Sequence, residues 1–310
     1  MHIFVTGASG WIGSRLVPDL VAHDHTVSAL ARSDRSATAL RSTGVDVVPG
    51  TLDDHDVLGA AAASADAVVH LGFKHDLAFA GNYAQAAQDD RAVVDVFAER
   101  LSGTGKALVV ASGILGVVGV APGVVATEND GRIAHAAAGP ISGGGDRSET
   151  ARHVLSLADR DIRSSIVRLP PATHGAGDNG FTAAAVAAAR AAGASAYAGD
   201  GANRWPAVHR DDAATLFRLA AESAPAGSVL HAVGEEGVPI REVAEAIAAG
   251  LGLPAISVPE SQIGGYLGFL GGFWSTDGPA SAHRTHELLG WKATRATWLD
   301  DLRGDAYYRN

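Results

Sequence analysis

The first two-thirds of the chain alternate short apolar runs with longer stretches in which apolar positions recur at helical spacing. That pattern belongs to a parallel sheet with helices on both faces. Residues 2–6 read as the first strand. Residues 14–22 read as a helix, with Leu16, Val17, Leu20 and Val21 on one side. Pro18 lies inside that helix and should bend it or cost stability. Further strands are read at 26–31, 45–49, 67–71, 107–111 and 165–169. Their nearly continuous Val, Ile, Leu and Ala content suits burial on both faces. Beyond Pro170-Pro171 the pattern loosens, with helices at 181–192, 211–222 and 241–251 and a strand at 228–233. The stretch 264–274 mixes glycine with Tyr266, Phe269, Phe273 and Trp274. It reads as core of a smaller domain, with an aromatic lid or a dimer contact as alternatives.

Composition narrows the picture. Lys and Arg number 24 against 34 Asp and Glu, a net charge of −10, which disfavours nucleic acid and anionic membranes as partners. There is no cysteine, so neither a disulfide framework nor a thiol nucleophile is available. The uncharged run 107–127 contains four glycines and Pro122, which suits a buried strand and its loop better than a membrane helix. No secretory leader is read, and the expectation is a soluble, cytoplasmic protein. His23 with His25, and His283 with His286, have local metal-ligand spacing but lack converging carboxylates, so no metal is expected. Ser112, His153 and Asp161 do not make a hydrolase, because no Gly-x-Ser-x-Gly elbow exposes a nucleophile.

The chemistry concentrates at Gly7-Ala8-Ser9-Gly10-Trp11-Ile12-Gly13, between the first strand and the first helix. Glycines there permit a tight turn and close approach of backbone N–H groups to a pyrophosphate, at the positive end of the helix. The fold class is therefore α/β, a Rossmann-type doubly wound parallel sheet with a smaller mixed C-terminal substrate domain. Residues 1–170 with 211–234 form the first part, and 171–210 with 235–310 the second. The end of the second strand carries Arg32 and Ser33 where an NAD enzyme usually has an acid, so NADP(H) is preferred and NAD(H) stays open. Asp24 sits in the turn at the opposite end of that strand.

At this point the chain resembles the extended or atypical branch of the short-chain dehydrogenase/reductase superfamily, the NAD-dependent epimerase/dehydratase proteins. Thr6 to Gly13 resembles its opening Thr-Gly-x-x-Gly-x-x-Gly. Val69-His70-Leu71-Gly72 resembles the stretch under the adenosine, and Ala111-Ser112-Gly113 the end of strand five with its active-site Ser or Thr. Arg168-Leu169-Pro170 with Gly175-Ala176-Gly177-Asp178, and Val208-His209-Arg210-Asp211-Asp212, resemble two later segments. The resemblance implies a cofactor lined by Gly7, Ser9, Gly10, Trp11, Ile12, Gly13, Arg32, Ser33, Leu52, Leu71, Gly72, Arg147 and Pro170. It also implies a Tyr-x-x-x-Lys pair, and here the chain departs from the family. No tyrosine occurs between Tyr83 and Tyr197, and no lysine between Lys106 and Lys292. Counting back from Arg168 puts the lysine position at Arg147 and the tyrosine position at Gly143.

Arg147 can supply the lysine's positive charge but not a tunable proton. Proton donors must be sought among Ser112 with a water, Tyr83, His135 and His174. Candidate catalytic residues are thus Ser112, Tyr83 and Arg147, and candidate substrate contacts are His174, Arg204 and Trp205, the last two also reading as a packed loop. The expected function is an NADP(H)-dependent oxidoreductase for a small or medium carbonyl or alcohol substrate. A non-enzymatic NADP-binding sensor and a nucleotide-sugar epimerase or dehydratase are the alternatives. The expected partner is a small-molecule substrate, with room for a homodimer and none for nucleic acid or membrane.

Overall fold

The computed structural model describes residues 1–115, 117, 120–121, 123–131 and 145–309. Six strands, β1 His2–Thr6, β2 Thr26–Ala31, β3 Asp46–Pro49, β4 Ala67–His70, β5 Ala107–Gly113 and β6 Arg163–Leu169, alternate with helices. Those helices are α1 Gly13–Ala22, α2 Asp34–Arg41, α3 His55–Ser64, α4 His75–Phe79, α5 Tyr83–Leu101 and α6 Gly145–Ser156. The chain continues through β7 Ala172–His174, α7 Phe181–Ala192, β8 Ser195–Ala198, β9 Arg204–His209, α8 Arg210–Ser223 and β10 Ser228–His231. It then forms β11 Glu235–Pro239, α9 Ile240–Leu251 and β12 Ala255–Val258.

A seven-stranded parallel sheet runs in the order β10-β6-β5-β4-β1-β2-β3. Strand order reverses between β1 and β4, where the connections part to opposite sides and leave a crevice at the strands' carboxyl ends. Alternation of side chains along each strand feeds two cores. Ile3 and Val5 point to the face covered by α1 and α8, among Leu16, Leu20 and Phe217. Phe4 points to the face covered by α3, α5 and α6, among Leu58, Phe97 and Val154. Among the described residues no helix is long and apolar enough to cross a membrane.

One local expectation changes. Helix α1 carries Pro18 in its interior, as read, and that residue and Ser14, whose carbonyl loses its partner, both lie exposed to water. Strand β5 runs past Ala111 to Gly113, since Ser112 and Gly113 continue the register with Arg168 and Leu169 of β6. Backbone pairing extends the strand beyond its apolar run, and this brings Ser112 to the sheet's carboxyl edge.

The smaller part has a three-stranded sheet, β11-β9-β7, and a parallel pair, β12-β8. Its core contains Trp205, Trp274 and Trp298, with Ile240, Val243 and Ile247 of α9. The aromatic stretch 264–274 joins this core through Leu267, Leu270 and Trp274, whereas Phe269 is 61% exposed.

Candidate dinucleotide-binding site

The loop after β1 is shaped by what its glycines lack. Gly7 has φ +67°, and a Cβ on it would lie 2.8 Å from the Gly72 nitrogen and the Leu71 carbonyl carbon. A Cβ on Gly10 would lie 3.0 Å from the Gly7 oxygen, and one on Gly13 would collide with that oxygen and the Ala8 backbone. The turn closes through Gly10 N donating to the Gly7 carbonyl at 2.9 Å. Ala8 is buried, while Ser9 and Gly10 are exposed. The head of α1 thus offers unencumbered backbone beside the strand-order reversal, a cradle that fits a pyrophosphate. Leu71 and Gly72 form its neighbouring wall, and Leu52 packs within 3.0 Å of where a Gly72 Cβ would stand. Ile12 is buried, and the Trp11 indole N–H donates to the Thr173 carbonyl at 3.0 Å. The Arg210 guanidinium lies 4.2 Å from the centre of the Trp11 ring, so Trp11 fastens the loop to the smaller part.

At the end of β2, the Arg32 side chain is 75% exposed and lies 3.4 Å from the still more exposed Asp76 carboxylate. Ser33 caps α2, its hydroxyl accepting from Ser36 N at 3.2 Å. Asp24 occupies the turn before β2 with φ 61°, at the far end of the strand from this edge.

Across the reversal, the carboxyl ends of β4 and β5 carry a chain of polar groups. Gly72 N donates to the Thr6 hydroxyl at 3.1 Å, and that hydroxyl stands 2.6 Å from His70 Nδ1. His70 Nε2 lies 3.2 Å from Asp90 Oδ1, and Asp90 Oδ2 lies 3.9 Å from Arg147 Nε. Arg147 Nη2 donates to the Ala111 carbonyl at 3.1 Å, and its guanidinium lies 4.2 Å from the centre of the Phe73 ring. Phe73 also meets His75 at 5.0 Å and Tyr83 at 6.1 Å between ring centres. Loss of water around its ring, and then the Arg147 charge, hold the His75 imidazole below its usual range. Arg147, Tyr83 and Ser112 therefore gather at one edge. Pro170 is buried just past β6. His135 and Gly143 lie outside the described residues. His70 was named only within the stretch under the adenosine, and Phe73, His75 and Asp90 were not anticipated. The sequence signal for His70 was a polar residue closing the apolar run Ala67-Val68-Val69.

The structure places the three expected substrate contacts in the packing of the smaller part. Trp205 is fully buried, stacked on Trp298 with ring centres 6.4 Å apart, and donates to the Thr276 carbonyl. His174 is also sealed, with Nδ1 2.6 Å from the Asp301 carboxylate and its ring against His209. Burial raises the neighbouring Glu235 and Asp178 carboxyls and lowers the His209 imidazole, as expected of an interior cluster. Arg204 is held at two nitrogens by Asp277, with Nε–Oδ1 3.2 Å and Nη2–Oδ2 3.1 Å. Aromatic packing and charge pairing within the smaller part occupy all three side chains.

A parallel sheet with this strand order and this loop defines a dinucleotide-binding protein of the Rossmann type. The chain belongs to the NAD(P)H-binding family, which it matches over residues 7–179. It is 42% identical over 308 residues to an uncharacterised protein of Schizosaccharomyces pombe, covering 99% of this chain and 100% of the relative. It is 28% identical over 269 residues to a 2-alkyl-3-oxoalkanoate reductase of Stenotrophomonas maltophilia, covering 83% and 77% respectively. Its fold is that of the extended short-chain dehydrogenase/reductases. A dTDP-glucose 4,6-dehydratase from Streptomyces venezuelae, solved with NAD bound, superposes with a TM-score of 0.75 at 20% identity, covering 99% of this chain and 97% of that one.

Proposed function

We propose that the chain is an NADP(H)-dependent oxidoreductase acting on a small or medium carbonyl or alcohol substrate. The observation that carries this reading is the glycine cradle at the strand-order reversal, with Arg32 and Ser33 at the end of β2. The likeness to a 3-oxoalkanoate reductase supports carbonyl chemistry. The nicotinamide, when bound, supplies or accepts the hydride. The backbone amides at the head of α1 hold the pyrophosphate, and Arg32 with Ser33 holds the 2′-phosphate by charge-assisted hydrogen bonds. Arg147 provides a fixed positive charge at the carboxyl end of β5, steadying the nicotinamide ribose and developing negative charge on a substrate oxygen. The proton comes from a hydroxyl, either Ser112 through a water or Tyr83. Phe73 and Leu71 give that edge an apolar lining.

Steady-state NADPH oxidation over ketones, aldehydes and sugar nucleotides tests the activity, with turnover expected on apolar carbonyl compounds. Tight NADPH binding with no turnover on any of them would overturn it in favour of a second reading. That reading, a non-enzymatic dinucleotide sensor, is favoured by the missing tyrosine and lysine, and it requires different affinities for NADP⁺ and NADPH. An epimerase or dehydratase ranks below both, since those reactions depend most on the tyrosine.

A further inference from the structure

One buried charge near the crevice has no place in the scheme above. The Asp90 side chain is only 3% exposed, midway along the face of α5 that packs on the sheet. A carboxylate so deep is stable only if its lone pairs are met and its charge is balanced. Its two oxygens face different partners, His70 on one side and Arg147 on the other.

The hydrogen bonds have one consistent direction. Thr6 Oγ1 accepts from Gly72 N–H, so its own proton is directed at His70 Nδ1. That leaves Nε2 to carry the imidazole proton and donate it to Asp90. The other carboxylate oxygen faces the Arg147 guanidinium, 3.9 Å away. The chain of groups begins and ends on strand edges that border the crevice, passing through Asp90 of α5 and Arg147 of α6: Thr6 ends β1, His70 ends β4, and Ala111, which receives Arg147, lies near the end of β5.

We propose that Thr6, His70 and Asp90 are positioning residues that hold the Arg147 guanidinium for the nicotinamide half of the dinucleotide, in place of the lysine this chain lacks. The proposal rests on the dinucleotide reading of the crevice. The fold divides the ligand between its halves. Arg32 and Ser33 lie on the β2 side of the reversal, and Arg147 lies on the β5 side. A guanidinium bonded to a carbonyl, laid on a ring face and set 3.9 Å from a carboxylate is fixed in direction, as a flexible ammonium is not. Asp90 touches no ligand in this scheme and acts only through Arg147.

The test compares NADPH with 2′,5′-ADP, a fragment that contains only the adenosine half, using titrations of the full chain. Native protein, Asp90→Asn, Arg147→Gln and the double variant are measured side by side. Arg147→Gln and Asp90→Asn should each weaken NADPH roughly tenfold, the scale of one charge-assisted contact. The double variant should be no weaker than Arg147→Gln alone, and 2′,5′-ADP affinity should stay within about twofold of native throughout. Additive losses, or equal losses with both ligands, would show a structural role and overturn the proposal. An unchanged NADPH affinity in Arg147→Gln would do the same.

Should Asp90→Asn fail to fold, the histidine imidazole NMR spectrum of native protein and Arg147→Gln decides. NADP⁺ should shift the His70 ring resonances in the native protein, and much less in Arg147→Gln. Identical shifts in both overturn the proposal. Native protein that binds neither NADPH nor 2′,5′-ADP removes the dinucleotide reading itself, and the positioning role goes with it.

Discussion

The two sides of the strand-order reversal are built from different materials. On the β1–β2 side the ligand-facing surface is backbone, exposed and local in sequence. Three glycines within seven residues clear it, and Arg32 and Ser33 stand at the next strand's end. On the β4–β5 side the surface is made of side chains brought from distant segments: Thr6, His70, Asp90, Arg147, and behind Ser112 the register partner Arg168. The first side tolerates little change in shape but is indifferent to protonation. The second depends on side-chain contacts between distant segments, and its neighbour Arg168 also meets His231, whose imidazole burial holds well below its usual range.

The sharpest way to break that contrast is at Gly13. An added methyl there meets the Gly7 carbonyl oxygen and the Ala8 backbone, neither of which is a flexible end that can swing away. Gly13→Ala is expected to abolish measurable nucleotide binding and to lower stability by about 3 kcal/mol, the upper range for overpacking. Urea denaturation and NADPH fluorescence titration check this. Near-native affinity in Gly13→Ala would mean that backbone shape is not what the loop contributes.

Next in size is a pH response at the β10 edge of the sheet, beside β6. His231 is buried on β10, where Arg168 Nη1 donates to its Nε2 at 3.2 Å and its Nδ1 donates to the Ser281 carbonyl at 2.8 Å. Arg168 also donates to the Asp130 carbonyl at 2.8 Å, and the carboxylates of Glu128 and Asp130 partly offset its charge. Burial, and then the Arg168 charge, push the His231 imidazole from 6.5 down to about 4. The folded state therefore resists a proton that the unfolded chain takes up. This contribution is fully present above pH 6.5 and is lost as pH falls toward 4, roughly 3 kcal/mol over the window. Melting temperatures recorded from pH 8 to pH 5 should fall, and His231→Gln should flatten that slope. An equally steep slope in His231→Gln would move the acid sensitivity elsewhere.

The same division explains what could be read before the structure. Strands β1 and β2, helix α7 and the glycine loop follow from patterns that repeat or turn within a few residues, and such patterns survive in a bare sequence. Arg147 was reachable by counting back from Arg168. Asp90 was not. Its meaning depends on which way α5 rolls against β4, a fact decided by packing between segments twenty residues apart. Trp205 and His174 misled for a related reason. An aromatic or imidazole ring near a strand end looks the same in sequence whether it lines a crevice or a core. The partners that bury these two, Trp298 and Asp301, lie more than ninety residues away. Ser33 was read by place alone, and its capping of α2 came only with the helix.

Smaller effects sharpen the exposed side. Arg32→Ala should weaken NADPH by about tenfold or more and leave NADH within twofold, since only the 2′-phosphate loses a charge-assisted partner. Equal loss for both nucleotides would mean that Arg32 holds something common to them. The gentlest probe is Asp76, whose carboxylate competes for Arg32 at 3.4 Å while both side chains stand in water. An exposed pair of this kind is worth at most about 1 kcal/mol, so Asp76→Asn can free Arg32 only slightly. NADPH affinity should rise by less than about fivefold, and NADH affinity should not move. The gain should shrink as salt is raised from 50 to 200 mM, because screening weakens the competition and the phosphate contact together. A gain that persists at high salt would point instead to a change in the shape of α4, and Asp76 would then belong with the packed side of the crevice rather than the open one.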